Sequence, residues 1–305
     1  MISVIICTYN PHPEFLLETI ESIENQFYRD FELIIVDNNS TIPISNLPFI
    51  KEKNNIKVTI ETKQGLTAAR WAGVKAAKYE ILVFVDDDNI LDSLYLLNAE
   101  RIVRENPNIG MLSGRILPRF EIAPKKWFLR YEGMIAIKRY SNLDGLYLIE
   151  NNSNLHYTDI FPIGAGMIVK KTNMEDYYLI HLDNVSNYIE GRKGNELTSA
   201  EDIDYAFFCL SNNLKVGIST DLQLTHIIPE FRLSMPYLVK LSTSSLYSCY
   251  LVNKKWYSTF GKNVFKFFDM TALELYLRIA YYTIFKTKAN LINKNYYQKV
   301  LELSQ

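Results

Sequence analysis

Between Ser3 and Val85 four short apolar or β-branched runs are set apart by stretches with helical spacing: Ser3 to Cys7, Phe31 to Val36, Ile56 to Ile60 and Ile81 to Val85. After Pro13, the residues Phe15, Leu16, Ile20, Ile23 and Phe27 recur at helical intervals, and Gly65 to Ala77 is Ala-rich. Strands alternating with helices in this way build βαβ units, so the chain is expected to be an α/β protein with a mostly parallel central sheet flanked by helices. Open sheets of that kind bind ligands beyond the carboxyl ends of their strands. Thr8 to Asn10, Asp37 to Ser40 and Asp86 to Asn89 all fall at such ends.

The rest of the chain is less regular. Leu91 to Arg104 reads as a helix, Pro118 to Asp159 mixes aromatics with Lys and Arg without a clear period, and Gly164 to Val169 reads as a strand. Ser186 to Ser199 is polar and contains glycine, as a mobile loop would be, and a helix is expected from Glu201 to Ser211. Two short strands, Lys215 to Ser219 and Leu222 to Thr225, precede His226, and beyond Arg232 the pattern is helical and aromatic. With 305 residues, 48% of them hydrophobic, the chain can bury a sizeable core.

Charge divides the molecule more sharply than its total suggests. Thirty-three basic against 34 acidic residues leave −1 overall, but residues 1–231 hold 22 against 31 and residues 232–305 hold 11 against 3. Cys7, Cys209 and Cys249 are far apart and lack metal-type spacing, so neither a disulfide framework nor a zinc site is indicated and a reducing compartment is expected. The N-terminal run leads straight into a turn and reads as a core strand, with no secretion leader. No apolar stretch reaches the roughly 18 residues of a membrane span. A Walker-type phosphate loop and nucleic-acid reader motifs are absent, which argues against a P-loop nucleotidase and against nucleic acid as a partner.

Three carboxylates, Asp86, Asp87 and Asp88, follow a buried strand directly. Like charges so close raise one another's pKa, and a cation among them relieves the repulsion, so a hard divalent ion with oxygen ligands is one explanation; an acidic turn at a helix start is the other. The ordered set Val4-Ile5-Ile6-Cys7-Thr8-Tyr9-Asn10, Ile35-Val36-Asp37-Asn38-Asn39-Ser40, Gly65-Leu66-Thr67-Ala68-Ala69-Arg70 and Asp86 to Asn89 resembles the inverting glycosyltransferase family 2, which has the GT-A fold. The resemblance covers about residues 1–231. It implies a catalytic domain over 1–231, with a nucleotide-binding half to about 115 and an acceptor half over 116–231, followed by a basic, aromatic helical region over 232–305.

By that resemblance Thr8, Tyr9 and Asn10 belong to the donor pocket, Asp37 holds the base, Arg70 reaches base or diphosphate, Asp86 lies near the ribose and Asp87 takes the middle position. Asp88 is the expected metal ligand with His226 as the second, for Mn²⁺ or Mg²⁺. Gly164-Ala165-Gly166-Met167 is similar to the family's small-residue segment, which places Gly166 against the donor sugar. Asp202 is the expected general base, with Glu201 beside it, and Arg232 is expected either at phosphate or on the surface. Each of these residues also has a plain structural reading as a turn, a helix start or a packing element. The implied activity is transfer of a sugar from a UDP- or dTDP-type donor to a hydroxyl of a glycan or lipid-linked acceptor, as in surface polysaccharide synthesis. The competing readings are a sugar nucleotidyltransferase and a non-catalytic nucleotide-sugar-binding scaffold. A cytoplasmic location is expected, with the basic tail either resting on the membrane face or packing on the catalytic domain or a twin subunit.

Overall fold

In the computed structural model, residues 1–152, 154–182, 189, 191–193, 197–284 and 288–304 are described. The order along the chain is β1 (Ile2–Thr8), α1 (Pro13–Glu24), β2 (Phe31–Asp37), α2 (Pro48–Lys51), β3 (Ile56–Ile60), α3 (Leu66–Ala76), β4 (Ile81–Asp86), β5 (Asn89–Leu91), α4 (Tyr95–Glu105) and β6 (Ile109–Phe120). It continues with β7 (Leu146–Ile149), β8 (Ile168–Lys170), α5 (Lys171–Leu182), α6 (Glu201–Ser211), β9 (Lys215–Ile228), α7 (Met235–Phe260), α8 (Ala272–Ile284) and α9 (Lys288–Ser304). Among the described residues the strands join one sheet in the order β3-β2-β1-β4-β8-β6-β9-β5, with β7 added on β9.

Strands β3, β2, β1 and β4 run parallel, as do β6 and β9, while β8, β5 and β7 pair antiparallel. Register is what builds a site from this sheet. Thr8 lies opposite Asp37, and Cys7 opposite Asp86, so the polar ends of three apolar strands reach one edge together. Two apolar clusters cover the two faces, one around Ile5, Phe84 and Tyr205, the other around Ile6, Val85 and Tyr95.

Three sequence expectations are corrected. Leu91 is not helical: the chain turns after Asp88 into the short strand β5, where Asn89 pairs with His226 and Leu91 with Leu224. The two strands expected around 215–225 are one strand, β9, whose register against β6 shifts near Ser219 to Gln223. The polar residues Thr220 and Asp221 inside it suggested a break. Only Ile168–Lys170 of the expected strand from Gly164 is extended pairing; the residues before it form a turn. The unassigned middle contains a 3-10 segment, Phe128–Ile135, and β7.

The region beyond 231 is not an appendage. Ser234 caps α7 by accepting from the Tyr237 amide, and Pro236 sits in its first turn, where a missing N–H costs nothing. Val252 and Trp256 of α7 join the core with Phe207 and Phe265, while Leu238 and Leu241 pack with Phe128, Ile228 and Ile292 of α9. Among the described residues no helix is long and apolar enough to cross a membrane.

Candidate active site

At the polar edge of the sheet lies a cavity of about 820 Å³. Thr8, Tyr9, Arg70, Asp86, Asp87, Asp88, Glu201, Asp202 and His226 all line it, so the structure gathers residues from across most of the sequence, from Thr8 to His226. A volume of this size suits a ligand well beyond a single small metabolite.

The acids after β4 are buried and crowded. Burial pushes the Asp86 carboxyl up, and its neighbour Asp88 adds to the effect. Burial, with Asp88 next, likewise pushes Asp87 up to about 7; its carboxylate accepts from the Thr8 hydroxyl. Burial also opposes the charge on Asp88, but the His226 ring and the Arg232 guanidinium prevail and hold it down at about 2. Asp88 Oδ2 lies 3.4 Å from His226 Nε2 and 3.2 Å from Arg232 Nη1, and that Nη1 lies 3.0 Å from His226 Nε2. Nε2 therefore faces both a guanidinium donor and a carboxylate acceptor, and the ring's tautomer decides which of the two it pairs with. Nδ1 is buried with no hydrogen-bond partner among the described residues.

Whether these residues suit a divalent ion follows from that geometry. A carboxylate oxygen and an imidazole nitrogen converge, and with that nitrogen unprotonated they are the donor chemistry Mn²⁺ and Mg²⁺ accept. Among the described residues no group of three or more His, Cys, Asp or Glu forms an ion cage. A two-donor arrangement leaves the remaining coordination positions for phosphate oxygens and water, so the residues fit an ion that arrives with its substrate. Arg232 already provides one positive charge at the same point.

The start of α6 is organised differently. Ala200 adopts a left-handed backbone, φ 85°, which turns the chain so that Glu201 and Asp202 open the helix at the cavity, where its dipole favours acids. Glu201 Oε1 accepts from Arg70 Nη1 at 2.8 Å, and both side chains are buried. Asp202 Oδ2 accepts from the Gly164 amide at 2.7 Å and Oδ1 from the Ile203 amide at 2.8 Å. Gly164 is required here, because a Cβ on it would lie 2.5 Å from the Arg70 guanidinium. Asp204, two residues on, is fully buried and away from the cavity. It accepts from Tyr177 Oη at 2.6 Å, Lys255 Nζ at 2.6 Å and Trp256 Nε1 at 2.7 Å, and so ties α6 to α5 and α7.

Three expected donor residues are not on the cavity wall. Asp37 is buried, with Oδ1 accepting from the Ser40 amide and Oδ2 from the Ile44 amide, each at 2.9 Å, so it fastens the loop after β2. Asn10 donates its amide to Ser40 Oγ at 2.9 Å and accepts from the Thr41 amide at 2.8 Å, which latches that loop to the one after β1. Asn38, between them in space, lines the cavity instead. Gly166 has φ 69°, and a Cβ on it would lie 2.6 Å from both Leu224 and the Tyr95 hydroxyl. It therefore turns into the core, whereas Gly164 and Ala165 line the cavity.

Several lining residues carried no motif. Lys138 and Tyr157 come from the stretch without a clear period, and Tyr237 and Lys240 from the first turns of α7. Burial lowers the pKa of the Lys138 ammonium, against the pull of Asp159 and Asp202. The basic, aromatic composition of 118–159 was the available signal. Half of the expected loop from Ser186 to Ser199 lies outside the described residues. Of the remainder, Gly191 donates to Thr67 Oγ1 at 2.9 Å, the Arg192 carbonyl accepts from the Leu66 amide at 2.9 Å, and Arg192 lines the cavity.

Comparison with known proteins agrees with this picture. An uncharacterized glycosyltransferase of Methanocaldococcus jannaschii is 25% identical over 270 residues, covering 84% of this chain and 79% of that protein. The poly-beta-1,6-N-acetyl-D-glucosamine synthase of Staphylococcus epidermidis is 28% identical over 149 residues, 47% of this chain and 36% of the synthase. Among solved structures, TarS 1-349 of S. aureus in complex with UDP-GlcNAc superposes with a TM-score of 0.55 at 17% identity, covering 99% of this chain and 90% of that one. The model of the family described as glycosyl transferase family 2 matches residues 3–174, more than half of the chain. With the sheet edge, its acidic strand ends and the cavity they form in place, the chain belongs to glycosyl transferase family 2.

Proposed function

We propose that the cavity binds a UDP- or dTDP-linked sugar and transfers the sugar, with inversion, to a hydroxyl of a glycan or lipid-linked acceptor of the kind used in surface polysaccharides. The observation that carries this reading is the presence, on one cavity wall, of a carboxylate positioned by backbone amides, Asp202, and of a crowded acidic cluster, Asp86 to Asp88. The solved neighbour with UDP-GlcNAc and the poly-N-acetylglucosamine synthase support the same donor class.

Thr8, Tyr9 and Asn38 take the nucleoside side of the cavity, and Asp86 the ribose. Asp37 and Asn10 act one step behind them, by fixing the loops that carry the contacts. Asp88 and His226 would hold Mn²⁺ or Mg²⁺. When bound, the ion supplies positive charge to the departing diphosphate. Arg232 adds a fixed guanidinium suited to the same oxygens. Asp202 takes the proton from the acceptor hydroxyl as its oxygen attacks the anomeric carbon from the face opposite the diphosphate, and the Gly164 and Ile203 amides hold the carboxylate in place for it. Arg70 and Glu201 neutralise each other beside it and keep that wall rigid.

The direct test presents the purified protein with a panel of nucleotide sugars and follows nucleotide release, with the anomeric configuration of the product read by proton NMR. Release from a uridine or thymidine donor with inverted product is expected. Release with retained configuration would remove Asp202 from the role of base, and release from no donor would overturn the reading as a whole.

A further inference from the structure

Helix α8 uses only one side of its surface for packing. Leu275 is buried against Leu246 and Val300, Tyr282 stacks on Tyr297 with ring centroids 5.8 Å apart, and Arg278 donates to the Tyr297 hydroxyl at 3.0 Å. The side through Leu275, Ile279 and Tyr282 therefore faces α9. At about 100° per residue, Leu273, Tyr276, Leu277, Ala280, Tyr281 and Ile284 fall on the opposite side, within an arc of about 140°. The large ones are exposed: Leu273 by 68%, Tyr276 by 55%, Leu277 by 62%, Tyr281 by 53% and Ile284 by 71%. That arc contains no charged side chain. Scattered exposed apolar residues need no explanation, but a continuous apolar face on one helix does.

Charge decides what covers it. Residues 232–305 carry 11 basic and 3 acidic residues; with Arg232 and Lys240 in the cavity and Lys255 held by Asp204, eight basic residues remain against three acids, each engaged locally: Asp269 accepts from Asn263, Glu274 from Thr271 and Glu302 from Lys299. A second copy of so basic a region would repel the first across a two-fold interface, whereas an anionic surface attracts it. A second basic and apolar strip lies close by. Ile122, Lys125, Lys126, Leu129 and Arg130 are exposed at and before the 3-10 segment Phe128–Ile135. Tyr131 of that segment donates to Asn293 of α9 at 3.3 Å, and Gly133, Met134 and Ile135 line the cavity. Tyrosines on an apolar helix face, together with exposed lysines and an arginine at 125–130, suit the headgroup zone of a lipid bilayer.

We propose that the outward face of α8, together with the basic strip at 122–130, docks the protein on an anionic lipid surface. The 3-10 segment then links the docking surface to the cavity wall, so that an acceptor carried in the lipid is presented beside Asp202. The docking itself goes beyond the donor chemistry and rests on none of it.

Cosedimentation of the full chain with vesicles tests this. With phosphatidylglycerol in phosphatidylcholine vesicles the protein is expected to pellet at low salt and to release as salt rises; with phosphatidylcholine alone it stays in solution. Leu277→Asp combined with Ile284→Asp should lower partitioning about tenfold or more without changing thermal unfolding, since both side chains are exposed. Lys125→Glu with Lys126→Glu should weaken binding to the anionic vesicles and make it less sensitive to salt. Nucleotide-sugar binding in vesicle-free buffer is read in parallel, which separates a failure of docking from a failure of the donor site. The proposal is overturned if the protein ignores anionic vesicles at low salt, or if the Leu277/Ile284 variant binds them as well as wild type. It is equally overturned by a salt-resistant dimer that this variant dissociates, because a second copy then covers the face.

Discussion

Two acidic clusters meet at the cavity and are neutralised in opposite ways. At the start of α6 every carboxylate has its own internal partner: Glu201 has Arg70, Asp202 has the Gly164 and Ile203 amides, and Asp204 has Tyr177, Lys255 and Trp256. After β4, three carboxylates share Thr8, His226 and Arg232, and burial with mutual repulsion pushes two of them up. The first cluster is paired within the protein except at Glu201 Oε2, which is buried without a hydrogen-bond partner among the described residues. The second holds more carboxylates than Arg232 alone offsets, and in the reading proposed above a cation, or a substrate that carries one, makes up the difference. A side chain in the first cluster should therefore show its effect in chemistry or folding, and one in the second in ligand and ion binding.

The largest expected effect is on Asp202. Asp202→Asn keeps the size but can accept from only one of the two amides and cannot take a proton, so turnover should fall at least about a hundredfold while nucleotide affinity changes by less than about threefold. Isothermal titration beside steady-state kinetics separates the two quantities. Turnover above about a tenth of wild type would show that the base lies elsewhere. Asp204 is no longer a candidate for it, since its carboxylate is fully buried among three donors away from the cavity.

Asp204 tests the same cluster from its structural side. Asp204→Asn leaves the Lys255 ammonium next to a neutral amide in a buried place, which should cost about 3 kcal/mol of folding stability. The folded fraction should turn over substrate normally. Denaturant unfolding checks this, and adding Lys255→Met should restore part of the loss. A turnover defect equal to that of Asp202→Asn, at undiminished stability, would erase the distinction between the two carboxylates.

How much of this was legible in the sequence follows from the same contrast. The parallel half could be read because its strands are short, apolar and end in polar residues, and periodicity reports those features directly. The helix at 201–211 was equally plain. What each carboxylate does was less so. Asp202 and Asp204 look alike in Ala200-Glu201-Asp202-Ile203-Asp204, yet one step of about 200° around the helix puts one at the cavity and the other in the core. Asp37 likewise reads as a ligand-binding strand end, and only the fold shows its two oxygens taken up by the Ser40 and Ile44 amides. Lys138 and Lys240 reach the cavity through long-range packing of a 3-10 segment and α7, which local patterns do not encode.

In the second cluster, activity should require Mn²⁺ or Mg²⁺ and be lost in excess chelator. Asp88→Ala should raise the half-saturating ion concentration about tenfold or more, and His226→Ala should raise it less, because a carboxylate contributes charge and a neutral imidazole does not. Ion titrations of nucleotide binding provide the readout. Full activity in chelator would mean that Arg232 alone supplies the positive charge at this point, and would remove the ion from the site.

The smallest expected effect concerns Asp87, and its sign is diagnostic. Its carboxyl titrates at about 7 in the folded protein, raised first by burial and then by Asp88, against roughly 3.9 in an unfolded chain. Between those values the folded state holds a proton that the unfolded state has lost, so in chelator this group makes wild-type stability fall as pH rises from about 4 to about 7, and level off above. Asn at position 87 can still accept from Thr8 but carries no charge. Asp87→Asn should therefore match wild type near pH 4 and exceed its stability by on the order of 1 kcal/mol at pH 8, with the gap opening across that window. Saturating Mn²⁺ or Mg²⁺ should narrow the gap, because the added charge stabilises the ionised cluster more where Asp87 is present than where Asn replaces it. Urea unfolding of both proteins over pH 4 to 8, with and without the ion, measures it. A variant that is less stable than wild type at pH 8 in chelator would show that Arg232 and Thr8 already satisfy the ionised carboxylate. The cluster after β4 would then be as complete within the protein as the one at α6.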